Sequence, residues 1–364
     1  MSEANNYKII TLDTAAPDTA EAKILLIYTG GTLGMGHDEN GTLVPIDFSD
    51  LLSQAPVLGK FSLEVTIVAF NNPIDSSDIL PVQWNGLAEI INKFYDDHDG
   101  FVIIHGTDTM AFTASALSFI LEGLSKPVIL TGAQLPITSI RTDALENLVT
   151  ALEIASAKNE KGDAAVPEVC IYFNNKLLRG NRSQKVQSDK FHAFNSANYP
   201  ALADSGIEIE YHYAYIHKPG SGIRLTNEVR FDNNVTIVKL FPGICKESLE
   251  PVLRNLCIKG VVLETYGSGN VMSEKWFIDL LKETIDRGVI VLNVSQCMGG
   301  RVTQGRYKTS EMLDKIGVIN GFDLTTEAAI TKLMFTLGKN LSYESTIECL
   351  ILPVSGEMTR TNLQ

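Results

Sequence analysis

The first clear pattern begins at Lys23. Lys-Ile-Leu-Leu-Ile-Tyr-Thr (23–29) is a continuous apolar run that stops at two glycines. A strand buried on both faces of a parallel sheet reads this way, because no solvent face imposes alternation. The signal returns at Leu63–Phe70, Phe101–His105, Pro127–Leu130 and Val169–Phe173. Between these runs the period becomes helical. Trp84, Leu87, Ile90, Ile91 and Phe94 share one face of 82–94, residues 111–124 are apolar enough for a packed helix, and Leu145, Leu148, Val149 and Leu152 mark a helix over about 142–157. Strands alternating with helices of this length predict βαβ units and an α/β fold built on a mostly parallel sheet flanked by helices.

The rhythm changes after Lys176. Residues 176–232 carry shorter strand signals and turns, and the alternation Tyr211/Tyr213/Tyr215 predicts one face of an edge strand. Strand and helix signals then resume: Val235–Leu240, a helix near 247–256, Gly260–Glu264, a helix near 273–286, Val289–Val294 and a last helix near 324–338. The chain is therefore divided into a loose N-terminal extension (1–21), a larger α/β domain (22–215), a linker (216–234) and a smaller C-terminal α/β domain (235–364).

Composition narrows the functions such a chain can have. Its 364 residues carry a net charge of −13, 45% are hydrophobic and 20% are charged. That supports a full core and about two domains. The acidic balance argues against nucleic-acid partners, whose phosphates need Lys and Arg, and against anionic membranes. No apolar run approaches the ~20 residues of a membrane span, and the polar N-terminus does not read as a secretory signal. Five cysteines (Cys170, Cys245, Cys257, Cys297, Cys349) without a CxxC pair fit free thiols in a reducing cytoplasm. The six histidines lack metal-ligand spacing, so no metal is expected.

In open α/β sheets ligands bind beyond the carboxyl ends of the strands, and polar clusters stand there. Thr29-Gly-Gly-Thr-Leu-Gly-Met-Gly follows the first strand. It is neither GxGxxG nor a P-loop, which leaves a tight loop carrying the hydroxyl of Thr32. His105-Gly-Thr-Asp-Thr-Met precedes a helix. Asp108 there is either an N-cap or, with its flanking hydroxyls, part of a site. Asn174 to Lys185 holds four cations, most of them expected at the surface or between subunits, although one buried lysine beside a carboxylate would be a functional arrangement. Asp75-Ser-Ser-Asp before the Trp84 helix reads either as caps or as a pocket wall for a zwitterion.

These blocks resemble the bacterial-type L-asparaginases, and in particular the cytoplasmic type I members. Thr29-Gly-Gly-Thr-Leu-Gly and His105-Gly-Thr-Asp-Thr-Met match the two signatures, while Asp75-Ser-Ser-Asp, Asn174-Asn-Lys with Arg179-Gly-Asn-Arg, and Ser295-Gln-Cys-Met-Gly-Gly match further blocks. The resemblance covers about residues 23–340. It implies a two-domain asparaginase-like fold, with the N-terminal domain catalytic, and hydrolysis of L-asparagine to L-aspartate and ammonia without a cofactor. It also implies a cytoplasmic homodimer or homotetramer. By motif, Thr32 falls at the nucleophile, Thr107 and Asp108 at the second threonine and its carboxylate, and Lys185 at the catalytic lysine. Asp75, Ser76 and Ser77 fall at the substrate-binding segment, which Thr107 and Asp108 complete. The chemistry is coherent: a threonine hydroxyl is a weak nucleophile that must lose its proton, and a Thr107–Asp108–Lys185 chain can relay it.

Two departures stand out. Many relatives carry a tyrosine after the first motif, whereas Gly36 to Pro45 holds none and Thr42 stands near the place. Tyr307, beyond the Gln-Cys-Met block, is the candidate to supply that hydroxyl. Members activated by asparagine tend to carry arginine where Glu264 lies, which predicts no such activation here. The alternatives are a broader glutaminase-asparaginase, an amidotransferase subunit, for which the stretch before Lys23 is short, and a non-catalytic amino-acid sensor, against which Thr32, Thr107, Asp108 and Lys185 all speak.

Overall fold

Leu25 and Ile27 are as completely buried as Ile24 and Leu26, so strand β2 (Ala22–Tyr28) has no solvent face beyond Lys23. In the computed structural model, which describes residues 7–14, 19–37, 42–45, 61–223, 230–304 and 308–360, that strand lies inside a nine-stranded sheet. The sheet is formed by β1 (Tyr7–Asp13), β2, β3 (Leu63–Phe70), β4 (Gly100–Ile104), β5 (Val128–Thr131), β6 (Val169–Phe173), β7 (Lys176–Arg179), β8 (Ala203–Ser205) and β9 (Ile209–Tyr211), in the order β1-β3-β2-β4-β5-β6-β7-β8-β9. Strands β3, β2, β4, β5 and β6 run parallel, and β1, β7, β8 and β9 are joined antiparallel at the two ends. Helices α1 (Pro81–Phe94), α2 (Met110–Ile120) and α3 (Ala144–Ser156) connect the parallel strands. On one face Ile24, Leu26, Val102, Ile104 and Ile129 form a single cluster with Leu148, Ala151, Leu152 and Ala155 of α3.

The N-terminal stretch is not a loose extension throughout. Residues 7–13 pair antiparallel with β3, from Tyr7 opposite Phe70 to Asp13 opposite Glu64. Ile10 and Leu12 pack onto the core while Ile9 is exposed. None of its residues is fully buried, so it lacks the continuous apolar run that marks β2. At the other end of the sheet the tyrosine alternation is corrected too: β9 stops at Tyr211, and Tyr213 and Tyr215 lie in a turn.

The described chain separates into two units, Met1–Leu225 and Thr226–Gln364. The second holds a four-stranded parallel sheet of β10 (Val235–Lys239), β11 (Gly260–Thr265), β12 (Ile290–Ser295) and β13 (Ile319–Asn320). Its helices are α4 (Lys246–Leu253), α5 (Lys275–Asp286), α6 (Lys308–Lys315), α7 (Thr326–Gly338) and α8 (Tyr343–Ile351). Val261, Leu263, Val291, Phe277 and Leu281 centre its core. Helix α7 is thus not the last one, since α8 follows with Ser342 as its cap. No helix among the described residues is long and apolar enough to cross a membrane.

Candidate active site

The loops beyond the carboxyl ends of β2, β3, β4 and β5 meet one another. After β2, Thr29 donates its hydroxyl to Ile104 O at 2.9 Å and accepts from Ile74 N–H at 2.7 Å. Gly30 and Gly31 follow at φ 133° and 90°. A Cβ on Gly30 would stand 2.4 Å from Ile74 O, and one on Gly31 2.6 Å from Gly106 Cα. Both the backbone angle and the space demand glycine at these positions. The half-buried Thr32 opens a short helical turn that ends at Gly34, whose carbonyl accepts from Tyr28 Oη at 3.2 Å. Burial pushes the Tyr28 hydroxyl up to about 12.

The residues after β4 are held from beneath. His105 is buried, with Nδ1 2.7 Å from Gly106 O and Nε2 2.9 Å from Thr113 Oγ1, which also accepts from Trp84 Nε1 at 3.0 Å. A carbonyl only accepts, so Nδ1 carries the ring hydrogen and Nε2 takes the Thr113 hydroxyl. Burial lowers His105 to about 4 and keeps it neutral. The chain Trp84–Thr113–His105–Gly106 thereby sets the backbone on which both Thr107 and the Thr32 loop rest.

Lys185 joins this cluster from far along the chain. Its Nζ donates to Thr107 Oγ1 at 2.8 Å and to Asp108 Oδ1 at 2.6 Å. The Asp108 side chain is 64% exposed and that of Lys185 18%. Asp108 is not a helix cap: α2 starts at Met110 after Thr109, and Thr109 donates its hydroxyl to Ser76 O at 2.6 Å. The Asp75 segment lies alongside, with Ser76 buried against Gly106. Asp75 does cap its short turn, accepting from Ser77 N–H and Ser77 Oγ at 2.9 and 3.0 Å.

The expectation that most of the four cations lie at the surface fails. Only Lys176 is largely exposed. Arg182 is buried, and the buried Arg179 donates Nε and Nη2 to Glu168 at 2.6 and 3.1 Å. Burial alone would depress the Arg179 guanidinium, but hydrogen bonds and charge from Glu168 more than offset it and raise its pKa. Ser183 Oγ donates to Arg179 O at 2.7 Å, so the buried pair fixes the turn that leads to Lys185. Sequence reasoning discounted these arginines because it had no way to see Glu168 beside them.

It also missed Gln134, whose Oε1 lies 3.4 Å from Thr107 Oγ1. A polar residue three positions beyond the end of the strand Val128–Thr131 was the available signal. Tyr307 lies outside the described residues. Thr42 is exposed. Glu264 is buried in the second unit, accepting from Thr326 Oγ1 at 2.5 Å and paired with Lys239 at 3.3 Å. Among the described residues no three His, Cys, Asp or Glu side chains are grouped to hold a metal.

Two family models match nearly the whole chain. Residues 23–217 match the N-terminal asparaginase domain and residues 234–350 the C-terminal glutaminase/asparaginase domain. The chain belongs to the asparaginase family. Over 340 residues it is 40% identical to L-asparaginase 1 of Escherichia coli K12, covering 92% of this chain and 98% of that one. Its fold matches L-asparaginase I from Vibrio cholerae with a TM-score of 0.84 at 38% identity, over 94% of this chain and all of that one. A probable cytoplasmic L-asparaginase from Campylobacter jejuni matches with a TM-score of 0.75 at 26% identity, over 91% of this chain and all of the other. In this family frame the two glycine-backed threonine loops, which sequence placed at strand ends, are neighbours through Gly31 and Gly106.

Proposed function

We propose that this asparaginase-family chain hydrolyses the side-chain amide of L-asparagine, with Thr32 as nucleophile and Thr107, Asp108 and Lys185 as its proton relay. The observation that carries the reading is the position of Lys185 Nζ, within hydrogen-bond reach of both Thr107 Oγ1 and Asp108 Oδ1. In the first half-reaction Thr32 Oγ bonds to the amide carbon and its proton passes to the relay. The C–N bond then breaks as the nitrogen takes a proton, which releases ammonia and leaves a β-aspartyl ester. In the second half-reaction water adds to the ester, the C–O bond to Thr32 breaks, and L-aspartate leaves with Thr32 restored. Backbone N–H groups near Thr107 receive the oxyanion. Asp108 and the Asp75–Ser76–Ser77 segment hold the substrate's charged end. Tyr307 is assigned the hydroxyl that assists Thr32.

We place this reaction in the cytoplasm, in a homodimer or homotetramer, without cofactor or metal. The buried carboxylate of Glu264 would repel the carboxylate of an effector, so the dependence of rate on asparagine is expected to be hyperbolic. Ammonia release from L-asparagine and L-glutamine, with Thr32→Ala alongside, tests the proposal. Turnover of asparagine with weak glutamine turnover and a silent variant supports it. Comparable rates on both substrates replace it with a glutaminase-asparaginase. Release from neither leaves the amino-acid sensor as the better account.

A further inference from the structure

The loop after β5 is held more firmly than a connector needs. Gln134 N–H donates to both oxygens of Asp143, at 3.1 and 3.0 Å, and Leu135 N–H joins at 3.1 Å. Asn147 Nδ2 ties the same carboxylate, at 3.3 Å, to Gly132 O, at 3.0 Å. From that fixed backbone the Gln134 amide reaches in two directions. Its Nε2 donates to Ser188 O at 3.1 Å and to Lys190 O at 3.0 Å. These carbonyls belong to the loop between the short paired strands Gln184–Lys185 and Phe194–Asn195. Both amide hydrogens are therefore used, which identifies the nitrogen end and prevents the amide from turning over. The oxygen end faces Thr107 Oγ1, 3.4 Å away. Lys185 Nζ already donates to that hydroxyl at 2.8 Å, so the hydroxyl's own hydrogen needs another acceptor, and Oε1 stands there.

We infer that Gln134 is a positioning residue: it fastens the Lys185 hairpin over Thr107 and, while Lys185 is protonated, receives the Thr107 hydrogen. When Lys185 is deprotonated, the hydrogen swings from Gln134 Oε1 to Nζ, which is the direction a base at Lys185 requires. No covalent step is added. The kinetic consequence rests on the hydrolase reading above, whereas the fastening of the hairpin does not.

Gln134→Ala tests both parts, with Gln134→Glu as a variant that keeps size but loses both donors and sets charge against two carbonyls. Expected in each is a kcat lower by about 10- to 100-fold with KM within about threefold, the pattern of lost alignment. Amide exchange across 186–193 should rise about tenfold or more, as the loop opens without global unfolding. In a Lys185→Met background the added Gln134→Ala should change the residual rate less than about twofold, since groups acting through one another are not additive. Unchanged kcat with unchanged exchange overturns the inference. So does a loss confined to KM, which would make Gln134 a substrate contact, or a full additive loss without Lys185. If the wild-type chain releases no ammonia from asparagine, it is the hydrolase reading that fails, and the exchange of 186–193 alone decides on Gln134.

Discussion

Lys185 in the first unit and Lys332 in the second both stand 2.6 Å from a carboxylate, and they are arranged for opposite ends. Lys332, on α7, pairs with Glu357 where both side chains are sealed from solvent. Its other hydrogens go to Leu350 O and Leu352 O, at 3.0 and 2.6 Å. Glu357 is filled in turn by Val354 and Ser355 N–H. Neither partner can trade a proton with solvent without leaving the other's charge buried and unpaired. Lys185 has one hydrogen on the carboxylate of Asp108, which is largely exposed, and another on a hydroxyl. Its neighbours are less confining, because water reaches Asp108 and the Thr107 hydroxyl can donate as well as accept. The same distance gives a sealed staple in one place and, in the other, an open contact that suits the relay proposed for Lys185. Burial and the identity of the third partner make the difference.

The strongest test of that contrast removes each ammonium. Lys185→Met should lower kcat by ~10³- to 10⁴-fold, which is ~4–5 kcal/mol of barrier, as expected when a base and its positioning are lost together. Its unfolding free energy from a denaturant titration should change by less than ~1 kcal/mol, since Asp108 remains in water. Lys332→Met should do the reverse. Leaving Glu357 buried without its partner is expected to cost ~3–5 kcal/mol of stability, and a double replacement of Lys332 and Glu357 by methionine should recover much of it. Equal stability losses in the two single variants would dissolve the distinction.

His105 sharpens the comparison by showing a third treatment of a buried base, which is kept neutral rather than paired. Its folded-state pKa is lowered to about 4 by burial. The unfolded chain therefore binds a proton first as pH falls, and stability drops as pH goes from about 6.5 to about 4. The loss should approach ~3 kcal/mol and level off below that range. Thermal melts across pH 4–7 read it directly, with His105→Asn as the variant in which this component disappears. A wild-type stability that rises towards pH 4 by this component would reverse the assigned tautomer and its neutrality.

How far these roles could be read from sequence follows from which contacts are local. The continuous run Lys23–Thr29 and its successors announced a parallel sheet, because burial on both faces leaves a pattern in each strand by itself. Thr32, Thr107 and Asp108 were visible for a related reason: polar clusters at strand ends are where the topology places ligands. Lys185 owed its place to a resemblance of motif, since its partners lie 77 and 78 residues away. Nothing local betrayed Lys332. It sits in Thr-Lys-Leu-Met on a helix that sequence did find, and its burial depends on α8 and the tail that follows, neither of which was expected. The strand at residues 7–13 was missed likewise, because its edge position depends on β3.

Lys176 gives the smallest effect, and it completes the comparison. It stands 2.8 Å from Asp204, almost as close as the other two lysines stand to their carboxylates, with side chains 56% and 44% exposed. The hydrogen bond from Lys176, helped by His212 Nε2 at 2.8 Å, holds Asp204 below the ordinary carboxylate range. Water screens that attraction and competes for both groups, and two long side chains lose rotamer freedom to meet. Lys176→Met should therefore cost ~0–1 kcal/mol, and its effect should shrink further in high salt. A denaturant titration at low and high salt measures both. If Lys176→Met matched Lys332→Met in cost, ion-pair distance alone would rank these lysines, and the argument that burial separates their roles would fall.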